Sequence, residues 1–223
     1  MEFWIDSVEP RTVSRFEKLG ILTGVTTNPE LLANVPSLDK TLHELIDATN
    51  GLLAVQVVAK TTEEMVAQGK IINDLSDQII IKVPAILEGF AAIHELSKAN
   101  IRTMATAIFT PEQALIAAKA GADYVALYLT RLKKAGGDAD EFLKKTAKIF
   151  HNYQLPTKIL AASISDLKQV ELCAEHSIDA VTLSEQLLDN LVKDQTLTLE
   201  AIKQFDRAWK AESAELFRVK TII

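Results

Sequence analysis

The 223-residue chain is poor in several residue types that carry common chemistry. It has a single cysteine, Cys173, so no internal disulfide can form and a reducing, cytoplasmic setting is expected. Cys173 falls in an expected helix and reads as a packing residue, not a nucleophile. The four histidines, His43, His94, His151 and His176, all fall in expected helical segments. None has the clustered spacing of a zinc site, so no metal is expected. Basic residues are in the minority, 24 Lys and Arg against 30 Asp and Glu, and the net charge of −6 argues against a nucleic-acid partner. No apolar run approaches the roughly 18 residues that span a bilayer, and no basic stretch leads into an apolar run at the start, so no membrane association is expected. A Walker-type phosphate loop and a GxSxG elbow are also missing.

What the chain does contain is a rhythm. Short apolar runs rich in β-branched residues alternate with longer amphipathic stretches, and the composition is 48% hydrophobic. Strands are expected at Glu2–Asp6, Gly24–Asn28, Leu52–Val58, Ile79–Val83, Thr103–Ile108, Tyr124–Leu129, Lys158–Ala162 and Ala180–Leu183. Continuous apolar runs suit parallel strands covered on both faces. Helix starts are marked at Thr110-Pro111-Glu112-Gln113, which has the capping-box pattern, and at Ser165 and Ser184. Ile86, Phe90 and Ile93 share one helix face, and Gly121 and Gly136 mark breaks. Eight strand–helix units in one domain spanning 1–223 predict an α/β fold of the (β/α)8 TIM-barrel type. The competing open doubly wound sheet would want a glycine fingerprint after its first strand, and "DSVEPRT" has none.

In such barrels chemistry sits at the carboxyl ends of the strands. The polar residues there are Asp6, Thr26, Thr27 and Asn28, Gln56, Lys82, Thr106, Tyr128 with Arg131, Ser163, and finally Thr182 and Ser184. Each alone could be a turn, capping or solvated residue. Lys82 is different, because it interrupts the apolar run "IIIKVP" (79–84). Burial disfavours the charged ammonium and lowers its pKa. Two readings follow: a structural ion pair with Asp6 or Glu88, or an amine neutral enough to form a Schiff base with a carbonyl substrate. With no metal ligands and no rival nucleophile, the rim reads as a site for polyhydroxylated, phosphorylated carbonyl compounds.

The motifs "GVTTNP" (24–29), "VQV" (55–57), "IKVP" (81–84), "TAIF" (106–109), "YVALYLTR" (124–131) and "ILAAS" (159–163), with the "FWID" start, resemble the small transaldolase family that includes fructose-6-phosphate aldolase. The resemblance runs from Met1 to about residue 215, with the spacing between motifs preserved. It implies that Lys82 is the Schiff-base lysine, and that Asp6, Asn28 and Thr26 orient it and the substrate hydroxyls. It implies a catalytic water held by Gln56, Thr106 and Tyr128, a phosphate held by Arg131 and Ser163, and no cofactor. Gln56 and Tyr128 match the aldolase branch, where transaldolases usually carry glutamate and phenylalanine. Glutamine cannot titrate, so the tyrosine hydroxyl is the expected acid/base. Ser7 and Glu30 depart from the family pattern.

One segment is left over after the eighth unit, whose helix is expected at Ser184–Val192. Leu199, Ile202, Phe205, Trp209 and Leu216 form a helical apolar stripe, and residues 198–217 are expected as an extra C-terminal helix. The stripe could lie on its own barrel or on a neighbouring subunit. The resemblance implies the second, in a homo-oligomer of pentamer rings stacked into decamers.

Overall fold

Each of the eight apolar runs forms a strand, and every strand is hydrogen-bonded in parallel to the next until the eighth closes on the first. The computed structural model describes residues 1–209. In chain order the elements are β1 (Glu2–Asp6), α1 (Pro10–Glu17), β2 (Leu22–Thr26), α2 (Pro29–Leu32), α3 (Leu38–Ala48), β3 (Leu52–Gln56), α4 (Thr62–Asn73), β4 (Ile79–Pro84) and α5 (Leu87–Lys98). They continue with β5 (Thr103–Ile108), α6 (Pro111–Ala120), β6 (Tyr124–Tyr128), α7 (Leu129–Lys134), α8 (Ala139–Asn152), β7 (Lys158–Ala162), α9 (Leu167–Glu175), β8 (Ala180–Leu183), α10 (Glu185–Leu191) and α11 (Thr196–Ala208). The (β/α)8 barrel expected from the sequence is the observed fold.

The barrel interior is built by residue parity. Successive side chains of a strand point to opposite faces, and register carries one parity around the closed sheet. Trp4, Ala54, Ile80, Met104, Ala126, Leu160 and Ala180 form the middle of the inner core. Trp4 fits because its neighbour on β2 is Gly24: a Cβ there would come within 2.8 Å of the Trp4 ring. Residues of the other parity, such as Ile5, Ile79, Ile81 and Val125, are buried on the outer face beneath the helices. This double burial is why the strands read as unbroken apolar runs.

Helix boundaries follow local chemistry. Thr110 and Gln113 form the expected capping box of α6, and Gly121 ends it in the left-handed conformation at φ 103°. Several expectations are corrected. Strand β2 ends at Thr26, because Asn28 already caps α2 and Pro29 begins it. Strand β3 stops at Gln56. The cap of α9 is Asp166, which accepts from the Gln169 amide, and not Ser165. Ile86 is the N-cap residue of α5 and is exposed, so it does not share the buried face of Ile93. His176 lies just beyond α9 and pairs with Asp140 at 2.6 Å.

By its contacts the chain divides into two units, Met1–Leu188, which holds the whole barrel, and Asp189–Ile223. Within the second unit α11 is the described helix, and its Leu199, Ile202 and Phe205 are exposed. It begins two residues before the expected 198–217, and the part of that expectation beyond residue 209 lies outside the described residues. No helix among the described residues is long and apolar enough to cross a membrane.

Candidate active site

Two positions beyond the middle layer, the same parity delivers polar side chains to the carboxyl end of the barrel. Trp4 is followed by Asp6, Gly24 by Thr26, Ala54 by Gln56, Ile80 by Lys82, Met104 by Thr106, Ala126 by Tyr128 and Ala180 by Thr182. A cavity of about 140 Å³ opens there, lined by Asp6, Thr26, Asn28, Lys82, Tyr128, Arg131, Ser163 and Thr182 among others.

Lys82 is 4% exposed and lies in register beside Gln56 on β3. Its Nζ donates a 2.6 Å hydrogen bond to the carbonyl oxygen of Thr27. Thr27 is itself locked to β3, since both its backbone N–H and its Oγ1 donate to the Ala54 carbonyl. Burial lowers the Lys82 pKa from 10.5 to about 8, with the nearby Asp6 charge working against the shift. Neither carboxylate weighed as an ion-pair partner binds it. Glu88 accepts from the Thr62 hydroxyl and amide, and Asp6 accepts the Thr26 hydroxyl. The ion-pair reading of Lys82 is therefore set aside: a buried amine held by a neutral carbonyl is deprotonated far more readily than an ordinary lysine.

Asp6 is fixed by a relay of hydroxyls. Thr26 Oγ1 donates to Asp6 Oδ1 at 2.7 Å, so its contact with Thr182 Oγ1, also 2.7 Å, has Thr182 as donor. Among the described residues no hydrogen bond reaches Asp6 Oδ2, and Asp6 lines the cavity. Asn28 spends its Oδ1 on the Leu31 amide at 3.0 Å, which leaves its Nδ2 as the group that could meet a ligand.

Thr106 and Tyr128 are brought together across the β5–β6 pair, with 3.2 Å between their oxygens. A register shift between Ala105 and Ile108 inserts an extra residue there, and Ala107 is in the left-handed region at φ 58°. Such a bulge re-aims the side chains beside it, and strain in a non-glycine residue persists only where the surroundings over-determine it. The Tyr128 ring is further held edge-on by Phe109 at 5.7 Å and faced by the Arg131 guanidinium at 5.3 Å. Gln56 belongs to the same interior layer but makes no direct hydrogen bond to Thr106 or Tyr128 among the described residues. Arg131, on α7, and Ser163, just past β7 with φ 55°, both line the cavity. Arg131 Nη2 donates to Glu30, 3.3 Å from Oε2 and 3.5 Å from Oε1.

Sequence reasoning placed every one of the expected residues at this end. It missed the Thr27 carbonyl as the partner of Lys82, because a backbone acceptor leaves no trace in side-chain identity. The roles of Phe109 and of the Thr182 hydroxyl were also missed. Thr182 was among the rim residues read from the sequence, and its place two residues after the interior Ala180 puts its hydroxyl on the inner face.

An amine of lowered basicity at the floor of a polar barrel mouth defines a Schiff-base-forming barrel enzyme of the aldolase and transaldolase kind. The chain belongs to the transaldolase/fructose-6-phosphate aldolase family, whose model matches residues 3–221. It is 36% identical over 213 residues to a probable transaldolase of Oceanobacillus iheyensis, covering 95% of this chain and 100% of that protein. It is 35% identical to a probable transaldolase of Maricaulis maris, covering 94% and 97% of the two chains. A solved structure described as "Native KDPGal structure" superposes with a TM-score of 0.56 at 14% identity, covering 81% of this chain and 80% of that one. At that identity the likeness concerns the fold.

Proposed function

We propose that the protein is a class I aldolase that cleaves fructose 6-phosphate to dihydroxyacetone and glyceraldehyde 3-phosphate, or joins them. The observation that carries the Schiff-base chemistry is Lys82: buried, without a carboxylate hydrogen-bonded to it, and with its pKa lowered to about 8. The Lys82 amine attacks the ketone carbon, and loss of water gives a protonated imine. Tyr128, through a water held with Gln56 and Thr106, takes the proton from the hydroxyl on the carbon that becomes the aldehyde. The adjacent carbon–carbon bond breaks, with its electron pair drawn into the imine to form an enamine. Protonation of the enamine and addition of water release dihydroxyacetone and restore the lysine. Asp6 and Asn28 orient hydroxyls, Thr26 supports them, and Arg131 with Ser163 holds the phosphate. The aldolase reading rests on Gln56, which cannot act as a base, and on Tyr128, whose hydroxyl can.

A second reading is transaldolase, in which the enamine waits for another aldose phosphate. The relatives named probable transaldolase favour it. Borohydride reduction in the presence of dihydroxyacetone tests what the two share: a covalent adduct on Lys82 is expected, and its absence across pH 6–9 overturns both. Fructose 6-phosphate is then incubated with and without erythrose 4-phosphate. Glyceraldehyde 3-phosphate released without the acceptor supports the aldolase; release only with it assigns the transaldolase. Assembly into rings, which the exposed stripe of α11 supports, and a cytoplasmic setting belong to the same reading. Light scattering measures the subunit number.

A further inference from the structure

We infer that Glu30 sets the acceptor preference of this site by competing with phosphate for Arg131. The inference rests on the reading of Arg131 as the phosphate-binding residue. Arg131 is the one arginine lining the cavity among the described residues, and its Nη2 already faces a carboxylate. The pair joins α2, which follows β2, to α7, which follows β6, so a phosphate that takes Arg131 Nη2 competes with the carboxylate for that donor. Glu30 is 78% and Arg131 56% exposed in their side chains. An ion pair so open to water is weak, and it yields to a ligand instead of blocking it.

Displacement does not remove the charge. Glu30 remains on a short, capped turn, and a dianion on Arg131 stays within a few ångströms of it. Like charges at that range repel until salt screens them. An unphosphorylated aldehyde meets no such penalty. Nor does the fold depend on this carboxylate. The turn is held by Asn28 accepting from the Leu31 amide and by the Asn34 side chain donating to the Glu30 carbonyl, and neither bond uses the Glu30 side chain. The consequence is a barrel that discriminates weakly between phosphorylated and neutral acceptors. Neutral hydroxyaldehydes become the substrate class that Glu30 favours.

The test is the selectivity ratio, kcat/KM for D-glyceraldehyde 3-phosphate over that for D-glyceraldehyde, each with dihydroxyacetone as donor. Glu30→Gln keeps the shape and removes the charge. It is expected to raise the ratio roughly three- to tenfold at low salt, as suits an exposed charge interaction, and by less at 0.5 M salt. The gain should vanish when Arg131 is replaced by Ala, because the two residues act on one ligand. An unchanged ratio, or an equal gain in the Arg131→Ala background, overturns the inference. Binding of inorganic phosphate, measured by calorimetry, asks the same question without turnover: Glu30→Gln should bind it more tightly than the wild type, and equal affinity is a second way to lose. If no carbon–carbon bond forms with either aldehyde while phosphate binding still responds to Glu30→Gln, the aldolase reading fails, and with it the acceptor preference, while the competition of Glu30 with phosphate for Arg131 stands.

Discussion

The two ends of the barrel interior each hold a lysine near a carboxylate, and they do opposite things with it. At the amino end, Lys158 donates to Glu2, which also accepts from Trp4 Nε1 at 3.2 Å and from the Tyr124 hydroxyl at 3.0 Å. The hydrogen bond to Glu2 raises the Lys158 pKa, with burial opposing it. Burial alone would raise the Glu2 carboxyl, but the donors Lys158, Trp4 and Tyr124 outweigh it and hold it below its ordinary value. Burial, with the Glu2 charge, pushes Tyr124 up to about 12. At the carboxyl end Lys82 is denied its carboxylate: Asp6 is engaged by Thr26, and the amine is left with a carbonyl. One end is saturated and closes the barrel. The other keeps a desolvated amine in reach of solutes, at a cost in stability.

The largest expected break in this contrast is Lys82→Met. Aldol activity and borohydride trapping should fall by a factor on the order of 10⁴ or more, because the covalent intermediate cannot form. The same variant should be more stable. A lysine whose folded pKa is lowered costs stability fully below the folded value and not at all above the unfolded one. Urea unfolding should therefore show Lys82→Met ahead by up to roughly 3 kcal/mol at pH 7, with the gap closing between pH 8 and 10.5. A gap that does not change over that range would contradict a buried, titrating amine.

Tyr128→Phe is the next largest. It removes the hydroxyl 3.2 Å from Thr106 but leaves the ring against Phe109. Aldol cleavage should drop ~10²- to 10⁴-fold with trapping on Lys82 retained. Equal loss of trapping and cleavage would point to misplacement of the lysine instead.

The smallest effect belongs to the saturated end. Glu2→Gln should destabilise by about 1 kcal/mol, since the hydrogen bonds that lose their charge are only partly buried and water screens them. The Glu2 carboxyl is held below its ordinary value of 4.5. Its contribution is therefore present above that value and lost as pH falls through the folded one. Wild type and variant should converge in acid, and the kinetics of Lys82 trapping should be untouched. A large change in trapping would mean that the two ends are mechanically coupled.

Much of this was legible in the chain. The eight strands and their parallel closure follow from apolar runs separated by helical stretches. "IIIKVP" announces its own anomaly, because a lysine among isoleucines is too costly to be incidental. Boundaries were less legible. Asn28 and Pro29 end β2 early through capping chemistry that competes with the apolar pattern. Ser165 yielded to Asp166 as a cap because both are good caps and only the backbone path decides which reaches the amide.

The sequence by itself determined the barrel, the lysine at its mouth and the polar ring around it, because strand parity and burial are written in residue spacing. The tertiary structure decided which of those polar groups touch. It withheld Asp6 from Lys82, supplied the Thr27 carbonyl, turned Thr106 toward Tyr128 through a bulge, and set Glu30 against Arg131. Those pairings depend on register between strands distant in the chain and on backbone atoms common to every residue, neither of which a string of side chains encodes.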